Sequence, residues 1–216
     1  LRYALGLPHE ADFEFFRTLP RHGLFVDIGA NIGQSALSFA AVCPGWEIIS
    51  FEPNPALTKY LRRTAQVLHG SHTWHTMALG ATSGRVPFYL PVRNGLEATQ
   101  EGTCHQSALT DAAAQTRLGA GWCVRTIEVP VERFDSLGLR PDVVKIDVQG
   151  FEYEVLQGMR ATLDSWPPRA LYLEYGPDIA RVTDFLGSFG YTPWQVKGRE
   201  LSPWNGSNCG NVVYQH

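Results

Sequence analysis

The chain has no apolar run approaching membrane-spanning length, no cluster of Lys or Arg, and no paired cysteines. The first absence argues against a transmembrane anchor. The second, with 18 basic against 21 acidic residues and a formal net charge of −3, argues against a nucleic-acid partner. Cys43, Cys104, Cys123 and Cys209 stand singly, so neither a disulfide framework nor a C-x-x-C site is expected. The opening residues "LRYALGLPHE" carry no secretory h-region, and with reduced thiols this predicts a cytoplasmic protein. Internal repeats and linker-like stretches are also missing, so the 216 residues are expected to form one domain.

What is present is an alternation of short apolar runs and amphipathic runs. Residues 9–18, with Phe13, Phe15 and Phe16, predict an N-terminal helix within a segment ending near residue 20. Leu24–Ile28, Glu47–Phe51, Thr73–Ala78, Val143–Val148 and Ala170–Tyr175 predict strands, with Tyr191–Val196 and Val212–Tyr214 as the last two. Helices are expected over Ser35–Val42, from Leu57 to Leu68, from Phe151 to Leu163, and from Ile179 to Phe189. The pattern is that of an α/β fold with a mostly parallel sheet covered on both faces. Val86–Leu90 and Val124–Val129 predict an inserted hairpin, and the polar stretch Pro91–Cys123 between them predicts a lid.

In such sheets the ligand lies at the carboxyl ends of the strands. "FVDIGANIG" places Asp27, Gly29, Ala30, Asn31 and Gly33 there. The glycines either let a ligand approach the backbone or merely permit a tight turn. Glu52 ends the second strand, where a carboxylate can accept hydrogen bonds from ribose hydroxyls. A pyrophosphate at this turn would be repelled by Asp27, and the third glycine of G-x-G-x-x-G is missing. S-adenosylmethionine carries an ammonium and a sulfonium and no phosphate, so the loop suits it better than NAD. An NAD-dependent oxidoreductase and a non-catalytic cofactor-binding module remain the alternatives.

"VDIGANIG", "SFEPNP", "ALG" and "VVKIDVQGFEYEVLQGM" together resemble the FkbM-type S-adenosylmethionine-dependent methyltransferases over roughly residues 24–175. The resemblance implies a class I methyltransferase, Rossmann-like fold: a seven-stranded sheet whose last strand is antiparallel. It implies O-methyl transfer to a hydroxyl of a sugar, natural product or other small molecule. By position it implies Asp27, Gly29, Ala30, Asn31 and Gly33 around the methionine portion of the cofactor and Glu52 on the ribose. Asn54 would lie nearby, and Ala78 and Leu79 would meet the adenine. Many members carry Glu where this chain has Gln149.

Transfer to an alcohol requires removal of its proton. Asp147 and Glu174 end adjacent strands, where they could share that proton or hold a magnesium ion. Asp147 could alternatively cap the following helix. His105, inside the insertion, is the histidine placed to act as a mobile base. His69, His72 and His75 recur every third residue but cannot share one face, so no metal site is expected there. Glu152 and Glu154 read as acids at a positive helix end. Asn205-Gly206-Ser207 reads as a turn rather than a glycosylation site. Trp166 and Trp194 read as core, and Trp204 as core or as a wall of an acceptor pocket.

Overall fold

The computed structural model describes residues 6–110 and 112–216. Residues 1–5, part of the leader reading and of the N-terminal segment, lie outside the described residues, as does Asp111 in the insertion. A 3-10 segment, Ala11–Thr18, leads into β1 (Leu24–Ile28), α1 (Gln34–Val42), β2 (Glu47–Phe51), α2 (Thr58–Val67) and β3 (His72–His75). The middle holds β4 (Ala78–Leu79), β5 (Gly84–Arg93), β6 (Leu96–Glu97), α3 (Ala112–Leu118) and β7 (Cys123–Glu132). The alternation resumes with β8 (Val143–Ile146), α4 (Glu152–Gln157), α5 (Arg160–Ser165), β9 (Ala170–Glu174) and α6 (Ile179–Gly187). Three strands close the chain: β10 (Thr192–Lys197), β11 (Glu200–Pro203) and β12 (Asn211–Gln215).

The main sheet runs β11-β10-β12-β9-β8-β1-β2-β3. β3, β2, β1, β8 and β9 are parallel, and β12 inserts antiparallel between β9 and β10. This is the class I methyltransferase sheet with one strand more than the seven expected. The eighth is β11, drawn from the turn-rich "GRELSPWNGSNCG", whose Leu201 packs with Trp194 and Val196 on the core. β8 and the first four residues of β9 are fully buried, as parallel strands covered on both faces should be. A second sheet, β4-β7-β5-β6, stands beside the first over its own apolar cluster of Phe88, Leu90, Val129 and Val131. Among the described residues no helix is long and apolar enough to cross a membrane.

Three expectations need correction. The third strand ends at His75, because Ala78 and Leu79 leave the main sheet to pair with Val131 and Glu132 of β7. The helix expected from Phe151 to Leu163 is two helices broken near Gly158. The Asp135 carboxylate accepts the N–H groups of Ala161 and Thr162 and so starts a new helix. The insertion contains β6, two 3-10 turns and α3. Trp166 is not core but 49% exposed, with the Arg140 guanidinium over its ring.

The cofactor-loop glycines are demanded by chain packing. A Cβ on Gly29 (φ +82°) would lie 1.8 Å from the Asp147 carbonyl oxygen, and one on Gly33 (φ +86°) 2.6 Å from Thr64 Oγ1. Gly29 thus lets the end of β1 pass the end of β8, which brings Asp147 to the loop. Gly29→Ala combines left-handed strain with a forced backbone shift and is expected to cost about 3 kcal/mol. The urea midpoint measures this, and a loss below about 1 kcal/mol would mean that the two strand ends separate freely.

Candidate functional site

A cavity of about 330 Å³ opens at the carboxyl ends of β1, β2, β8 and β9. Its polar end is formed by Glu10, Lys145, Asp147, Gln149 and Glu174. Its apolar end is formed by Phe51, Met77, Ala78, Leu79, Phe88 and Phe151, with Gly29–Ile32 and Glu52 between. From the insertion, Thr99, Gln100, Glu101, Gly102, Cys104 and Arg117 border it on the open side. The insertion is tied to the loops beneath: Thr99 Oγ1 donates to Asn31 Oδ1 (3.2 Å), and Asn54 Nδ2 donates to Glu97 Oε2 (3.2 Å).

The polar end is organised by Lys145, a buried ammonium on an otherwise apolar strand. Asp27, Lys145 and Tyr172 are register partners across β1, β8 and β9, so they form one row on one face. Lys145 Nζ lies 3.1 Å from Asp147 Oδ2 and 3.6 Å from Asp27 Oδ1. Burial by itself would lower the lysine's pKa; the Asp147 and Asp27 carboxylates outweigh it and hold the group above its ordinary value. Burial pushes the Asp27 carboxyl up, with Lys145 opposing. Among the described residues neither Asp27 oxygen has a hydrogen-bond partner, although the residue is completely covered and Lys145 faces it as an ion pair.

Gln149 bridges the two strand-end acids. Its Nε2 donates to Asp147 Oδ1 (3.0 Å) and to Glu174 Oε2 (2.6 Å), from a backbone at φ +55°. Burial raises the Asp147 carboxyl, but Lys145 and the Gln149 amide more than offset it and hold it below the usual carboxylate range. Glu174 is pushed the other way, by burial first and then by the Asp147 charge. The pair is therefore split into one ionised acid and one that keeps its proton near neutrality.

Glu52 joins the first two loops. Its Oε2 accepts from Asn31 N–H (2.9 Å) and its Oε1 from Asn54 N–H (2.8 Å). Burial pushes its pKa up to about 7, with those two backbone donors opposing.

A second cavity, of about 350 Å³, lies across the Gln149–Glu174 wall. Glu101, Arg117, Glu152 and Tyr175 are among its other walls. Arg117 is paired in two-point fashion with Glu101 (2.9 Å each), which leaves this cavity with an excess of carboxylates. The Trp204 ring does not line it but packs edge-on against Tyr175 at 6.1 Å.

Of the residues singled out in the sequence, Gly29, Ala30, Asn31, Glu52, Ala78, Leu79, Asp147 and Glu174 meet in the main cavity. Asp27 sits behind Lys145, and Asn54 caps the turn after β2 through Ala56 N–H. Gly33 faces α2. His105 lies outside both cavities, its Nδ1 3.3 Å from the Gly150 carbonyl. Glu152 takes the helix-start role, accepting from Val148 and Gly150 N–H. The magnesium expectation finds no support: among the described residues no group of three or more His, Cys, Asp or Glu could hold a metal ion. Asp147 and Glu174 face an amide donor and an ammonium instead. Lys145 and Glu10 were missed. A lysine inside "VVKI" signals a buried counter-charge, whereas nothing in the local sequence marks Glu10.

Comparison with known proteins gives the family and the fold. A family model described as "Methyltransferase FkbM domain" matches residues 27–193, well over half of the chain. The hexuronic acid methyltransferase AglP of Haloferax volcanii is 28% identical over 161 residues, 74% of this chain and 59% of that protein. The 2-O-methyltransferase NoeI of Sinorhizobium fredii is 27% identical over 184 residues, 77% of this chain and 72% of that one. Among solved structures, a candidate rRNA-methylase from Clostridium thermocellum superposes with a TM-score of 0.50 at 8% identity, covering 94% of this chain and 90% of that one. That last likeness is one of fold alone.

Proposed function

The chain belongs to the FkbM methyltransferase family, and from that premise we propose that it transfers a methyl group from S-adenosylmethionine to a hydroxyl of an uncharged, hydroxyl-rich small molecule such as a sugar. Family membership sets aside the NAD-dependent oxidoreductase alternative. The residues fit the cofactor. The polar end offers more carboxylate than cation, with the orphaned Asp27 oxygens behind it, and the other end is an apolar slot for a purine. Glu52 would take the ribose hydroxyls. Bound there, S-adenosylmethionine supplies an activated methyl group on a sulfonium that becomes a neutral thioether.

The observation that carries the acceptor side is the shared wall of the two cavities, because Glu174 faces both. An acceptor in the second cavity would present its hydroxyl to that carboxylate, which takes the proton as the oxygen attacks. The insertion would cover the reacting groups and exclude water. The name of AglP points to an acidic sugar and that of NoeI to 2-O-methylation. The hydroxyl reading suits this chain, since Arg117 in these walls is engaged by Glu101 and Glu152 adds a carboxylate, so an anionic acceptor would meet no net positive charge. Calorimetry with S-adenosylhomocysteine tests the cofactor. Mass spectrometry of neutral glycosides and the matching uronic acids, incubated with S-adenosylmethionine, tests the acceptor. Methylation of the uronic carboxylates alone would overturn the hydroxyl assignment.

Glu52 makes cofactor binding pH-dependent. Ribose hydroxyls donate to its ionised form, so binding must release its proton when the pH is below the free-state pKa of about 7. Affinity for S-adenosylhomocysteine is expected to fall as pH drops from about 8 to about 6, by up to about tenfold. Glu52→Ala should remove that dependence and weaken binding by about tenfold or more. A flat wild-type profile would overturn the ribose role.

A further inference from the structure

We infer that Glu10 is a cofactor-binding residue that receives the ammonium group of the methionine portion of S-adenosylmethionine. The inference rests on the cofactor reading above and extends the site to a segment that precedes the family-matched region.

Glu10 lines the polar end of the main cavity, immediately before the 3-10 segment. That segment is anchored, not trailing. Phe13 and Phe16 are fully buried, Phe13 packs edge-on against Tyr172 at 5.5 Å, and Phe16 meets Phe39 at 5.3 Å. The His9 backbone N–H donates to Ser38 Oγ of α1 (2.9 Å). The Tyr172 hydroxyl lies 3.0 Å from Glu10 Oε2 and 3.4 Å from Asp12 Oδ2, so the carboxylate is held beside the Asp27–Lys145–Tyr172 row.

Charge balance supplies the ligand chemistry. Glu10, Asp27 and Asp147 all act on the single ammonium of Lys145. One cation cannot neutralise three carboxylates, and among the described residues both Asp27 oxygens still lack a hydrogen bond. A second ammonium entering this end would correct the imbalance. Glu10 is the carboxylate placed to receive it, because Asp27 is fully covered and Asp147 is already engaged by Lys145 and Gln149, while Glu10 faces the cavity. An ammonium has three donors for carboxylate oxygens, whereas a sulfonium has none.

The test is calorimetry of Glu10→Gln with two ligands: S-adenosylhomocysteine, and 5′-methylthioadenosine, which keeps the nucleoside and thioether but lacks the amino-acid end. The amide oxygen can still accept from Tyr172, so the anchor survives. S-adenosylhomocysteine should bind about tenfold or more weakly, with methylthioadenosine changed by less than about twofold. Tyr172→Phe, which frees Glu10 without removing its charge, should give a smaller loss with the same ligand selectivity, and it carries the test if Glu10→Gln does not fold. Equal losses for both ligands, or none for S-adenosylhomocysteine, overturn the inference while leaving the cofactor reading in place. Failure of the folded wild type to bind S-adenosylhomocysteine overturns both.

Discussion

Glu174→Gln is expected to lower turnover by about 10²–10⁴-fold while S-adenosylhomocysteine affinity changes by less than about threefold. Glu174 faces both cavities, and its carboxyl is raised by burial and by the Asp147 charge into the range where a base can act near neutral pH. Glutamine keeps the size and one hydrogen bond but cannot take a proton. Single-turnover transfer to a hydroxyl acceptor that the wild type methylates is the measurement. A Glu174→Gln protein working at the wild-type rate would remove the residue from the chemistry.

The same geometry separates the roles of the two acids. Asp147, held ionised by Lys145 and Gln149, is a weak base, and its charge adds to burial in lifting Glu174. The wild-type rate should rise with pH through the Glu174 titration, because the ionised form is the active one. Asp147→Asn removes the like charge, lowers the Glu174 pKa, and should move that rising limb to lower pH. If Asp147 is itself the base, as its place at the strand end first suggests, the variant loses rate at every pH and the limb does not move.

These distinctions lie beyond what periodicity can reveal. β1 and β2 were legible to the residue, because short apolar runs bounded by turn residues are local signals. The place of Glu52, Asp147 and Glu174 in the cavity walls was legible because all three stand at the carboxyl ends of such strands. The helix break at Gly158 was not, since its cause is a carboxylate on Asp135, and the apolar spacing runs through it undisturbed. Nor was the exit of Ala78 and Leu79 into a second sheet, which depends on a partner strand, β7, far along the chain. Lys145 reads locally as a flaw in a hydrophobic strand. Only the register of β1, β8 and β9 makes it the centre of a charged row. Glu10 has no local signal, and reaches the cavity through the burial of Phe13 and Phe16.

Lys145→Met is expected to destabilise the fold by about 3–5 kcal/mol, although methionine fills much the same space. The loss comes from what remains: Asp27, completely buried, and Asp147 lose the ammonium that faces them both. Breaking such a group costs more than the group itself contributes, so partial rescue is the sharper test. Asp27→Asn added to Lys145→Met removes one uncompensated charge and should recover about 1 kcal/mol or more in urea unfolding. The pH dependence has a definite sign. In Lys145→Met the Asp27 carboxyl, already raised by burial, rises further above its unfolded value. Its unfavourable contribution is then absent below the unfolded pKa and complete above the folded one. The gap between variant and wild type should therefore widen as pH rises from about 4 to about 8. A gap that stays constant, or a single variant within about 0.5 kcal/mol of wild type, would mean that the carboxylates of this row are balanced by something other than Lys145.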